Sequence, residues 1–293
     1  MSAISIILPT KQRNHLLPIA LDSILRQTFR DFEVLLVDNN RTENRVSGEP
    51  ELEPYLDEPR VRLIEYPEGS TAAMVRNRAL PEAEGNYVTY LDDDDEYFPT
   101  KLEKQIALIE ETDSPLVTCG FVYRICGRRR FRQHRADGFS GDELLLEVIP
   151  TAQVLFHVND GAARWDAELG TVDDVCFFHD LVDRFQISRV PNCAEPLVQI
   201  NIHNESRTNI VPLNLYRGRR RVFVNHGHRF RARARKIYLL RHLIGIRKFE
   251  SGDWKRFLGV ATALIMRGGK REIRPVLNAI CVKIPWIRRF VVT

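Results

Sequence analysis

Short β-branched runs alternate with amphipathic stretches through the opening third of the chain, and this alternation leaves few folds open. Residues 4–8 (ISIIL) stop at Pro9, the pattern of a buried strand running into a loop. Residues 16–27 then carry Leu17, Leu21, Ile24 and Leu25 at i, i+4, i+7 and i+8, one face of a helix. A second strand is expected at 33–37, closing on Asp38, Asn39 and Asn40, and a third at 61–66. A helix at 71–80 leads to a fourth strand at 87–91, which closes on Asp92 to Glu96. Two successive β-α-β units imply a parallel sheet with helices on its faces. Ligands of such sheets bind at the carboxyl ends of the strands, where both polar clusters fall.

Past the acidic run, Pro99 and Thr100 open a helix in which Thr100 and Glu103 have capping-box spacing and Leu102, Ile106 and Ile109 form the apolar stripe. Residues 127–141 are basic and punctuated by glycine, as an exposed hairpin or mobile loop would be. Beyond about residue 209 the character changes. Helical patterns at 229–248, 253–266 and 273–284 are amphipathic, and the first is dense in arginine. The net charge of +4 hides a sharp asymmetry, because residues 211–293 carry 21 basic and 3 acidic side chains against 22 and 36 in residues 1–210. An end this basic should meet an anionic partner such as phospholipid headgroups, nucleic acid or a phosphorylated acceptor, unless it is simply a solvated helix face. The five cysteines include no C-x-x-C pair and are odd in number, which argues against a zinc knuckle or a disulfide framework and for a reducing cytoplasm. No basic leader precedes the first strand, and no window reaches the ~18 apolar residues of a membrane span. The expectation is a cytoplasmic protein, peripheral on the membrane if it touches one.

Four consecutive aspartates after a hydrophobic strand repel one another unless a cation or solvent compensates. Mg²⁺ or Mn²⁺, hard ions that bridge carboxylates to phosphates, would compensate; so would a solvated acidic turn.

Several ordered segments decide between these. The stretches 4–10 (ISIILPT), 20–29 (ALDSILRQTF) and 31–38 (DFEVLLVD), then 75–79 (VRNRA), 85–88 (GNYV), 90–95 (YLDDDD) and 99–103 (PTKLE), together resemble the opening of family 2 glycosyltransferases. The resemblance implies a GT-A fold: an α/β, Rossmann-like mixed sheet with helices on both faces. Here that would form a domain at 1–210, with a nucleotide-sugar half (1–98) and an acceptor half (99–210). Residues 211–293 would add a basic α-helical extension. Pro9 and Thr10 match positions that contact the donor nucleotide, and Asp38 and Asn39 match the pair that reads its base. The family usually has Asp at both of those positions. An amide donates as well as accepts, so Asn39 leaves the base open among UDP-, dTDP- and GDP-sugars. Arg76 matches a basic position suited to phosphate. Asp92, Asp93 and Asp94 fall on the D-x-D motif, with Asp94 and Asp92 as metal ligands, Asp93 nearer the ribose, and Asp95 and Glu96 behind the ligands or exposed. The Mn²⁺ or Mg²⁺ would neutralise charge on the leaving diphosphate.

The resemblance further implies inversion at the anomeric carbon, which needs a base for the acceptor hydroxyl. The acidic pair opening the helix after Thr171 and Val172 supplies Asp174 as that base and Asp173 as its partner, where the family usually has Glu-Asp. Carboxylates at a helix start are also favoured as mere caps. His203 lies where related sequences often carry a His, near the metal or diphosphate. The acceptor would be a glycan or a lipid-linked saccharide of cell-surface polysaccharide synthesis. Residues 211–293 would dock on an anionic membrane, pack on the domain or join two copies. Competing readings are a nucleotidyltransferase, disfavoured because Lys11-Gln12-Arg13 lacks the glycine-rich loop, and an inactive binding module whose basic end does the work. A dehydrogenase would need G-x-G-x-x-G after the first strand, and nucleic acid is not the expected partner.

Overall fold

The computed structural model describes residues 3–66, 70–125, 128–132, 138–140, 143, 149–158, 164–168, 173–202 and 222. The chain divides into two units, Met1–Pro212 and Leu213–Thr293, and the description concerns the first. Apart from Val222, the second unit lies outside the described residues, and with it the expected helical extension.

Nine strands form the sheet: β1 (Ile4–Thr10), β2 (Phe32–Asp38), β3 (Val61–Glu65), β4 (Tyr87–Tyr90), β5 (Glu96–Tyr97), β6 (Leu116–Ile125), β7 (Arg128–Arg132), β8 (Leu155–His157) and β9 (Asn192–Ile202). Their order is β3-β2-β1-β4-β8-β6-β9-β5, with β7 paired to β6. The first four are parallel. The sheet turns mixed where β8 pairs antiparallel with both β4 and β6. β7 pairs antiparallel with β6, so the expected basic segment 127–141 supplies only one strand of this hairpin, and most of its remainder lies outside the described residues. Among the described residues the helices are α1 (Leu17–Leu25), α2 (Glu53–Leu56), α3 (Ala72–Ala79), α4 (Lys101–Thr112) and α5 (Asp173–Arg184).

Strand alternation sorts the core into two layers. Ile4, Ile6 and Leu8 of β1 pack with Leu17, Leu21 and Ile24 of α1 and with Leu102 and Ile109 of α4. Ile7, Leu35 and Val37 face the other way, toward Ala73, Val75 and Ala79 of α3 and Phe177, Phe178 and Leu181 of α5. Burying both faces of β1 and β2 explains why they read as continuous apolar runs. Each such aliphatic side chain contributes about 1.5–3 kcal/mol.

One local expectation fails instructively. Thr100 makes no side-chain cap on α4. The buried Gln27, just past α1, instead accepts the Leu102 amide at 3.1 Å and donates to the Phe98 carbonyl at 2.8 Å. Glu103 accepts from Thr28 Oγ1 at 2.8 Å rather than reaching back to its own helix start. The orphan donors at the start of α4 are thus met from α1's side of the core, which no local spacing encodes. At Gly85 a Cβ would lie 2.6 Å from the Ser5 nitrogen, so only glycine lets the chain enter β4 this close to β1.

The strand order reverses at β1. The chain steps outward from β1 to β2 to β3, then returns to the other side of β1 with β4. A reversal of this kind opens a crevice at the carboxyl ends of β1 and β4, where ligands of open α/β sheets bind.

Candidate active site

Both polar clusters meet at that crevice. Thr10, the last residue of β1, donates its hydroxyl to Asp93 Oδ2 at 2.8 Å, joining the β1 end to the turn after β4. Arg13 reaches across from the loop after β1 and pairs with both Asp93 and Asp94. Arg76 of α3, itself buried, donates to Asp92 Oδ1 at 2.7 Å. Its guanidinium lies 4.6 Å from the centre of the Trp165 ring, a cation–π contact that fixes its plane. Each aspartate thus meets a donor from elsewhere in the chain, and carboxylate oxygens of Asp92, Asp94 and Asp95 all lie within 4.8 Å of one another. Three hard oxygen donors at that spacing suit a divalent cation.

Asp95, placed behind the ligands or exposed by the sequence reading, is buried and stands with Asp92 and Asp94. Its carboxylate accepts the backbone amide of Asn201 in β9 at 2.9 Å, which turns it inward. Burial holds the Asp95 carboxyl well above the usual carboxylate range, and the adjacent charges of Asp94 and Asp92 add to the effect. Burial likewise pushes Asp93 up to about 7, with Arg13 and the Thr10 hydroxyl opposing and Asp94 and Asp92 reinforcing.

At the end of β2, Asp38 is fully buried and accepts the amides of Asn40 and Val46, both at 2.8 Å. Asn39 lies beside it with the Nδ2 donating to the Ser70 carbonyl at 2.9 Å. Because a carbonyl only accepts, this bond fixes the amide's orientation. Asn39 Oδ1 is buried without a hydrogen-bond donor. The acceptor without a donor in this pair is therefore Asn39 Oδ1, and it is shielded from solvent. Pro9 sits one residue back in β1, opposite Val37.

Asp173 and Asp174 open α5, the position expected of them. Asp174 Oδ1 accepts the Val175 amide at 2.9 Å. One turn on, Phe177 stacks on Trp165 with ring centres 4.1 Å apart. Trp165 also donates its indole N–H to the Tyr90 hydroxyl at 3.1 Å and covers Arg76. The α5 start is coupled by this aromatic stack to Arg76 and so to Asp92. His203 lies outside the described residues. Arg13 and Trp165 escaped the sequence reading. Arg13 carries a signal, a cation three residues past a strand end that faces an acidic turn; Trp165 carries none.

The mixed sheet, with its strand order reversing at β1, is that of the GT-A fold. Residues 5–164 match glycosyl transferase family 2, and the chain belongs to that family. It is 30% identical over 287 residues to WcaA of Escherichia coli (strain K12), a glycosyl transferase named for colanic acid biosynthesis, covering 92% of this chain and 95% of that one. It is 32% identical over 108 residues, 36% of this chain and 40% of the other, to WfgD of Escherichia coli, a UDP-Glc:alpha-D-GlcNAc-diphosphoundecaprenol beta-1,3-glucosyltransferase. Among solved structures, S. aureus TarS 1-349 in complex with UDP-GlcNAc superposes with a TM-score of 0.64 at 18% identity, over 93% of this chain and 83% of that one. The mannosyltransferase PcManGT from Pyrobaculum calidifontis, in complex with GDP-Man and Mn2+, gives 0.62 at 14%, over 99% and 83%. These two likenesses establish the fold. The family relationship makes the chain a glycosyltransferase whose relatives act in polysaccharide biosynthesis.

Proposed function

We propose that this glycosyltransferase is metal-dependent and inverting, and that it moves a sugar from a nucleotide-sugar donor to a glycan or lipid-linked acceptor of a cell-surface polysaccharide. The observation that carries the reading is the convergence of carboxylate oxygens from Asp92, Asp94 and Asp95 within 4.8 Å of one another. Asp92, Asp94 and Asp95 would hold a Mn²⁺ or Mg²⁺, which when bound neutralises charge on the leaving nucleoside diphosphate. Arg76, clamped by Trp165, points its guanidinium into the same turn and orients the donor's phosphates, and Arg13 adds a second cation there. Asp93 lies toward the ribose. Pro9 and Thr10 line the nucleotide from the β1 side.

Asn39 Oδ1 supports a base that offers a ring N–H. Uracil and thymine N3–H or guanine N1–H would meet it, in keeping with a UDP-, dTDP- or GDP-sugar. Asp38 acts through the loop it organises. Asp174 takes the proton of the acceptor hydroxyl as that oxygen attacks the anomeric carbon, and Asp173 shares the helix start. Residues 211–293, strongly basic, would hold the enzyme at the anionic cytoplasmic membrane face, near a lipid-linked acceptor. No helix among the described residues is long and apolar enough to cross a membrane.

The test is a donor-hydrolysis and transfer assay across nucleotide sugars with and without Mn²⁺. Turnover should need the metal and vanish in Asp94→Asn. Asp174→Asn should keep donor binding and lose transfer. Activity that survives Asp94→Asn refutes the metal assignment, and transfer retained in Asp174→Asn moves the base elsewhere.

A further inference from the structure

The turn that carries the four aspartates has a neck, closed by side chains the proposed chemistry does not use. Tyr90 ends β4 before the turn, and Tyr97 ends β5 after it. The Tyr97 hydroxyl donates to the Tyr90 carbonyl at 2.6 Å. It also lies 3.1 Å from Thr89 Oγ1, which accepts from Lys101 Nζ at 3.1 Å. A phenol has one proton and a carbonyl can only accept, so that proton belongs to Tyr90 and the Thr89 hydroxyl must donate to Tyr97. The direction of the chain is thereby fixed: from the Lys101 ammonium to Thr89, to Tyr97, to the carbonyl that ends β4. Lys101 has further partners in Gln105 Oε1 at 2.7 Å and the face of the Tyr97 ring, 4.2 Å from its centre. Gln105 is itself anchored by donating to the Gln153 carbonyl at 2.8 Å.

Lysine is a costly choice at this position. It is completely buried, so its ammonium gives up hydration. It stands in the first turn of α4, where the helix dipole opposes a cation. Burial pulls it down to about 8, which still leaves it charged at neutral pH. A methionine would fill the space without these costs. What the cation supplies is polarisation, since each bond in a directed chain strengthens the next. The last of those bonds sets the width of the neck. On the far side, the Asn201 amide grips Asp95, so the turn is held from both flanks.

Resting on the metal reading of the acidic turn, we propose that Lys101 and Tyr97 form a clasp that presets Asp92, Asp94 and Asp95 for a divalent cation. Lys101 is a positioning residue, acting through Thr89 and Tyr97 on the end of β4. The test is Mn²⁺ titration of the full chain, without donor or acceptor, followed by electron paramagnetic resonance. Lys101→Met and Tyr97→Phe should each bind Mn²⁺ about tenfold more weakly, and the double variant should be no weaker than the weaker single one, because both break one chain. Phe32→Leu, in β2 two strands from β4, lowers thermal stability while leaving every bond of the clasp in place, and should bind as the wild type does. Folded Lys101→Met and Tyr97→Phe with wild-type Mn²⁺ affinity overturn the clasp alone. Equal weakening in Phe32→Leu also overturns it, by showing a general stability effect. Wild-type protein that takes up no Mn²⁺ overturns the metal reading and the clasp with it. If Lys101→Met does not fold, Tyr97→Phe, which loses a single oxygen, decides.

Discussion

Replacing Asn39 by Asp restores the residue usual in the family, and the structure makes it a destabilising change with a pH signature. Asn39 is 3% exposed, and its Nδ2 donates to the Ser70 carbonyl at 2.9 Å. An ionised carboxylate there would face that carbonyl oxygen to oxygen, losing the bond and burying a charge. Lys11 Nζ, 3.3 Å from the same carbonyl, recovers part of this. The net cost is about 1–3 kcal/mol when the side chain is ionised. Protonated, the new carboxyl can donate to Ser70 as the amide did, so its folded-state pKa lies above the unfolded one. The folded state then holds the extra proton as pH rises through the carboxylate range, and stability relative to wild type is lost as pH climbs through the folded pKa. Near pH 4 the variant should lie within about 0.5 kcal/mol of wild type; near pH 8 it should melt roughly 2–12 °C lower, at about 2–4 °C per kcal/mol. Asp93 and Asp95 titrate in both proteins and cancel in the difference. Paired thermal melts at the two pH values check it. A melting difference independent of pH, or none, refutes the assigned amide orientation and with it the open acceptor at Oδ1.

Lys101 gives the opposite sign. Its folded pKa, lowered by burial to about 8, lies below the unfolded value of 10.5, so the unfolded chain binds more protons between the two and stability rises with pH. Measured against Lys101→Met in urea, wild type should gain up to about 3 kcal/mol between about pH 8 and 10.5, and parallel pH profiles would show that the ammonium is not desolvated. Gly85→Ala should lower the unfolding free energy by about 1–3 kcal/mol, read as a lower urea midpoint with an unchanged slope, because the new Cβ forces β1 and β4 apart at Ser5. An unaltered midpoint would mean that the β4 entry can shift freely. Trp165→Leu removes the ring that covers Arg76 and should raise the donor's KM about 3–30-fold through a loosened guanidinium; an unchanged KM would detach Arg76 from the donor.

The parallel half of the fold was legible because its signal is local. Strands buried on both faces must be apolar throughout, and α1 writes its buried stripe directly into Leu17, Leu21 and Ile24. The mixed half of the sheet was less so. The antiparallel β8 has three residues, and β5 has two; neither is long enough to show a period. The site divides along the same line. That the acidic run would sit at a strand end followed from the run itself, but its allocation did not. Asp95 turns inward because the amide of Asn201, 106 residues later, receives it, and Arg13 crosses 81 residues to reach Asp94. A repulsive cluster is distributed by whichever donors tertiary structure delivers to it. Four identical side chains in succession therefore carry no internal mark of which donor each will meet or which three will converge.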